Sequence, residues 1–142
     1  MRHHGFSRSS LYKVTPEQAL RNLLIDDHIK SNWTKAKELF DEFSQRVLEL
    51  DPRIEIYPVK NYIGFIIENK NVIDIKIRES KLLLELLRVE PKDLIDPEKR
   101  TRYKARSFEY YNKHISEFDI NNEYDINYAL MLVKQVYKRF VE

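Results

Sequence analysis

Apolar side chains between Ala36 and Leu50 recur at the spacing of one helical face: Ala36, Leu39, Phe40, Phe43, Val47 and Leu50 fall at i, i+3, i+4, i+7, i+11 and i+14. This predicts a helix that Asp51-Pro52 stops, because the residue before a proline is pushed out of the helical region. Upstream, Thr15-Pro-Glu-Gln18 has the form of a capping box with proline at the first helical position. A shorter helix is expected from there to near Asn32, with Leu20, Leu23 and Leu24 on one side. From Arg53 the period drops to two. Arg53-Ile-Glu-Ile-Tyr57 alternates, and Pro58 confines it to a short or edge strand. Tyr62 to Glu68 and Val72 to Arg78 read as two strands joined by a polar turn over Asn69-Lys70-Asn71. The leucines of Lys81 to Val89 suit a strand or a helix; a further hairpin strand in register is the simpler continuation.

Lys92 to Lys113 shows no period and reads as irregular. Ile115 to Ile120 alternates again, and Asn121-Asn122 caps a closing helix with Ile126, Ala129, Leu130, Val133, Tyr137 and Phe140 on one face. Its acidic first turn (Glu123, Asp125) and basic last turn (Lys138, Arg139) complement the helix dipole. The sum is an α+β domain, an antiparallel β-meander of about four to five strands packed with two N-terminal helices and one C-terminal helix. It spans residues 15–142. The polar, basic stretch 1–14, with Arg2, His3, His4 and Arg8, reads as a flexible arm.

Composition narrows the function classes. At 142 residues the chain is long enough for one core and short for two. With 42% apolar and 34% charged residues it is globular in type. Lys+Arg 25 against Asp+Glu 23 leaves +2, so a nucleic-acid partner has to be argued from local clusters. The absence of cysteine excludes disulfides, thiolate nucleophiles and cysteine-based zinc sites. No apolar run approaches the ~18 residues of a membrane span, and the N-terminus has no apolar signal core; a cytoplasmic protein with no membrane partner is expected. The two glycines, Gly5 and Gly64, are too few for a P-loop, a dinucleotide fingerprint or a nucleophile elbow. Among the histidines, no spaced pair or triad marks a metal site, and His28 and His114 stand alone. No cofactor and no metal are expected.

Three stretches, "KAKELFDEFSQRVLELD", "YIGFIIENKNVIDIKIRESKLLLEL" and "EYDINYALMLVKQVY", carry a resemblance to a known family. The chain from about Trp33 to Tyr137 resembles a bacterial and archaeal domain of unknown function, sometimes labelled "predicted transport protein". Asp125, Tyr128, Gln135 and Tyr137 fall where that family places such residues. The family's Gly-His-Trp step before its last strand reads Asn112-Lys113-His114-Ile115 here, keeping only His114. The resemblance implies a small α+β accessory module, found at the C-terminal end of larger restriction or defence-type proteins, with no catalytic residues to carry over.

Two clusters are candidate sites. On the strand "NVIDIKIR", Asp74 and Lys76 point to one side, roughly 6.6 Å apart along it. With Glu55 from the neighbouring alternating strand as second carboxylate, they have the form of a Mg²⁺-dependent restriction-like nuclease core, in which the acids hold the metal and the lysine orients water. The same letters describe a strand with Ile73, Ile75 and Ile77 inside and charges outside, which needs fewer assumptions. The second cluster is "PEKRTRYKAR": Lys99, Arg100, Arg102, Lys104 and Arg106 with Tyr103 among them. In an extended chain the alternating cations share one side, suited to phosphate contact with stacking on the aromatic ring. A solvated loop paired with nearby acids is the alternative. The function read from these features is a non-enzymatic binding or accessory module that contacts nucleic acid or a nucleic-acid enzyme. A nuclease using Glu55, Asp74 and Lys76 is the alternative. So is a protein–protein adaptor or homodimer, which the nine tyrosines fit.

Overall fold

The computed structural model describes residues 15–142, so the arm expected over 1–14 lies outside the described residues. The first helix, α1 (Pro16–Asp26), starts as predicted, with Gln18 N donating to Thr15 Oγ1 at 3.0 Å. It ends at Asp26 rather than near Asn32, because the chain turns where His28 Nε2 meets the Val59 carbonyl at 2.6 Å. Leu20, Leu23 and Leu24 are 57, 64 and 39% exposed, so this helix has no buried stripe. The second helix, α2 (Thr34–Leu48), buries Ala36, Leu39, Phe40, Phe43 and Val47 as the pattern requires. Trp33 at its start packs against the core.

Six strands follow: β1 (Glu55–Pro58), β2 (Ile63–Ile67), β3 (Lys70–Ile77), β4 (Leu82–Leu87), β5 (Arg102–Tyr103) and β6 (Ile115–Ile120). They form one antiparallel sheet in the order β1-β2-β3-β4-β6-β5. The leucine-rich segment is therefore a strand. The sheet has one strand beyond the expected number, β5, and the helices one more, α3 (Ala105–Tyr111). Both lie in the segment read as irregular. Two and seven residues are too few to show a period, and tertiary contacts hold them: Asn112 ends α3 in the left-handed conformation, and Phe108 stacks on His114 at 4.6 Å. The β2–β3 turn is also shorter than predicted. Glu68 (φ 51°) and Asn69 (φ 69°) both take positive φ, giving a two-residue turn whose twist matches the strands. Lys70 and Asn71 consequently belong to β3.

The register fixes the two faces of the sheet. Ile63 lies beside Ile75, Ile75 beside Leu84, and Leu84 beside Phe118, making one apolar face. The closing helix, α4 (Glu123–Val141), packs across β3, β4 and β6 on that face, with α2 alongside. Each fully buried side chain of this kind contributes about 1.5–3 kcal/mol. Among the described residues the other face carries no packed helix pair; across it run Tyr57, Gly64, Asp74, Glu85, Glu117 and Arg102, one from each strand.

The four α4 residues singled out by the family resemblance are clamps. Asp125 accepts from Arg100 Nη2 at 2.7 Å and from Asn121 N at 2.8 Å. Tyr128 donates to Asp96 and accepts from Glu98 N at 2.9 Å. Gln135 brackets Ile95, accepting from its N at 2.7 Å and donating to its O at 2.9 Å. Tyr137 donates to Asp51, which Arg53 also grips at 2.8 Å. Asp96 gathers Thr101 N, Thr101 Oγ1 and Arg100 N as well. Burial alone would raise the Asp96 carboxyl, but these donors win and hold it at about 2. Arg53 holds Asp51 well below the usual carboxylate range. Replacing Tyr128 with Phe leaves Asp96 and Glu98 N short of a partner; the expected loss is roughly 1–3 kcal/mol in urea unfolding, with m unchanged.

Candidate functional site on the open sheet face and its edge

Asp74 and Glu85 stand directly opposite each other on β3 and β4, and both are almost fully buried, at 7% and 3% exposure. Glu85 Oε2 accepts from Lys104 Nζ at 2.6 Å and lies 3.5 Å from Lys76 Nζ. Asp74 Oδ1 accepts from Asn71 Nδ2 at 2.5 Å. Residues three apart on a regular strand face opposite ways. An irregularity between Phe65 and Ile66 inserts an extra residue into β3 and brings Asn71 to the face of Asp74. Gly64 makes the room: a Cβ there would meet Asn71 Nδ2 at 2.9 Å and Asp74 Oδ1 at 3.4 Å.

Burial pushes the Asp74 carboxyl up to about 6; the Asn71 hydrogen bond works against this and the Glu85 charge adds to it. Burial alone would lower Lys104, and its hydrogen bond to Glu85 overrides that and raises it. Asp74 and Lys76 thus share a face as the sequence predicts. Glu55 is not brought to them: β2 separates β1 from β3, about 9–10 Å in strand spacings. Its carboxylate pairs with Arg21 at 3.3 Å. The carboxylate facing Asp74 is Glu85, which the sequence reading passed over. Its signal was a lone acid inside "LLLELL", on the side of the strand away from the core leucines. Among the described residues no group of three or more histidine and carboxylate side chains is disposed to hold a metal. Asp74 Oδ1 is taken by Asn71, and Glu85 Oε2 by Lys104 and Lys76.

The cations of the basic segment do not line up on one side. Lys99 turns the chain with φ 52°. Arg100 then goes to the helix side, where it pairs with Asp125 and stacks 4.6 Å over Phe118 and 5.1 Å over Tyr128. Arg102 and Lys104 go to the open face; Arg102 pairs with Asp119 at 3.2 Å and Glu117 at 3.7 Å, and Lys104 with Glu85. Tyr103 OH meets His114 Nδ1 at 2.7 Å. Arg106, on α3, lies 5.5 Å over the ring of Tyr110. Lys99 and Arg106 enter no ion pair among the described residues. Around them α3 leaves Phe108, Tyr110 and Tyr111 at 43, 68 and 72% exposure, burying only Ser107. In the sequence Phe108, Tyr110 and Tyr111 stand just beyond the basic run, but no helix was expected there to gather them.

A single antiparallel sheet with helices packed on one face, closed by a helix that clamps the loops, defines the class. Residues 25–138 match the family described as domain of unknown function DUF5655, and the chain belongs to it. The match takes in the end of α1 as well as the span resembling the family. The chain is also similar to an uncharacterized protein of Haemophilus influenzae, 30% identical over 112 residues, which are 79% of this chain and 36% of that one. It thus spans about a third of that relative's length. No solved structure matches.

Three substitutions test the electrostatics. In the wild type, folded Asp74 keeps its proton up to about pH 6, while the unfolded chain gives it up near 3.8. Stability therefore falls as pH rises through that window and stays lower above it, by on the order of 3 kcal/mol. Asp74→Asn keeps the acceptor and removes the titration, so urea unfolding should show the variant more stable at pH 8 and level with the wild type near pH 3.5. Lys104→Met strips Glu85 of its nearer cation and should destabilise by about 3 kcal/mol, whereas Arg106→Ala on the exposed helix should stay within about 0.5 kcal/mol.

Proposed function

We propose that this domain is a non-enzymatic accessory module of a larger cytoplasmic assembly, of the restriction or defence type that the resemblance implies. Its contact surface is the α3 corner. The observation that carries this is the exposure of Phe108, Tyr110 and Tyr111 on one short helix, since aromatic side chains grouped at a surface favour a contact. Arg100, Arg102 and Lys104 are matched internally by acids, which favours a protein partner over a phosphate backbone. A neighbouring domain fits, given that the chain spans only part of its relative. Single-stranded nucleic acid is the second reading, supported by the stacking of Arg106 on Tyr110 with Lys99 unpaired among the described residues.

The test places a photo-crosslinking phenylalanine analogue at Tyr110 in cells, with the exposed Glu49 as control position. A discrete protein adduct at 110 and none at 49 is expected. A nucleic-acid adduct moves the assignment to the second reading, and equal, diffuse labelling at both positions sinks the α3 corner as a contact surface.

A further inference from the structure

A groove between the end of β4 and the last turn of α4 has a composition that the preceding reading leaves unused. Leu87, Val136 and Phe140 form its apolar wall, Arg88, Arg139 and Glu142 line it as well, and its volume is about 380 Å³. That is the size of a small-molecule site. Arg88 is held in the left-handed conformation at φ 65°. A residue with a side chain pays on the order of 1 kcal/mol for this, and glycine would make the same turn freely. The chain has an arginine there instead, and the arginine is fixed in place. Its backbone N donates to His114 O at 2.8 Å, its Nη1 donates to Asn71 O at 2.6 Å, and its guanidinium lies 5.5 Å over the Phe140 ring. Neither Arg88 nor Arg139 takes part in an ion pair among the described residues. The groove therefore joins two arginines that form no ion pair among the described residues to an apolar wall, with Asp74 acting on Arg88 only at longer range.

We propose that this groove binds a small organic monocarboxylate, with Arg88 as the fixed fork for its two oxygens, Arg139 as the second cation, and the alkyl or aryl body against Leu87, Val136 and Phe140. A planar two-oxygen group matches a guanidinium edge. Counted by side chains, two arginines against Glu142 leave one positive charge, which suits a monoanion better than a dianion such as a phosphate monoester.

The test is a titration of the full chain with hexanoate and benzoate, with phenyl phosphate as comparator, followed by amide chemical shifts. Saturable shifts at Leu87, Val89, Val136 and Phe140 are expected. Arg88→Gly keeps the turn without strain and removes the fork, so it should stay folded and weaken hexanoate by about tenfold or more. Arg139→Gln should weaken it as well. Absence of saturable shifts, tighter binding of phenyl phosphate than of the carboxylates, or wild-type affinity in both variants would overturn the assignment.

Discussion

The Glu85 carboxylate, nearly inaccessible in the middle of a six-stranded sheet, has to be met by cations that can reach it, and Lys104 does so from beyond the neighbouring strand. That one contact ties the edge of the sheet to its centre. The β5–α3 unit has little apolar surface of its own to bury, since β5 is exposed and α3 buries only Ser107. Charge therefore holds what hydrophobic burial does not. Arg102 repeats the device one residue pair further out, against Glu117 and Asp119. Arg100, Arg102 and Lys104 act here as a row of fastenings, each fitted to nearby acids.

The apolar face obeys a different economy of contacts. Leucine, isoleucine and phenylalanine from the sheet meet the apolar side chains of α2 and α4. The loops that must cross the ends of this layer are fixed by polar side chains of α4, spaced along the helix from Asp125 to Tyr137. Arg100 joins the two systems. It lies over Phe118 and Tyr128 while its charge reaches Asp125, so its side chain serves packing and its charge serves the loop.

The elements with a sustained period were legible in the sequence: α2, α4, the β2–β3 hairpin and β6 all follow from residue spacing. Asp74 and Lys76 were correctly placed on one face, because the alternation of a strand decides this locally. What the sequence did not display depends on residues far apart. The partner of Asp74 is Glu85 and not Glu55, and only the strand order settles that. The alignment of Arg100, Arg102, Lys104 and Arg106 required an extended chain, but β5 spans only Arg102–Tyr103 and α3 begins at Ala105. Asn71 shares a face with Asp74 through a strand irregularity that no two-residue pattern contains. The end of α1 was overestimated because Leu20, Leu23 and Leu24 look like a core stripe yet have no core beneath them.

The two borders of the sheet carry a further consequence. On one side β1 stops at Pro58, which has no amide hydrogen to offer; on the other β5 is two residues long and is followed at once by α3. Neither border presents a long row of free backbone groups. Strand addition, the common route by which sheets recruit peptides or polymerise with copies of themselves, therefore finds a poor template at both borders. A contact with this domain is favoured through side chains rather than through backbone pairing.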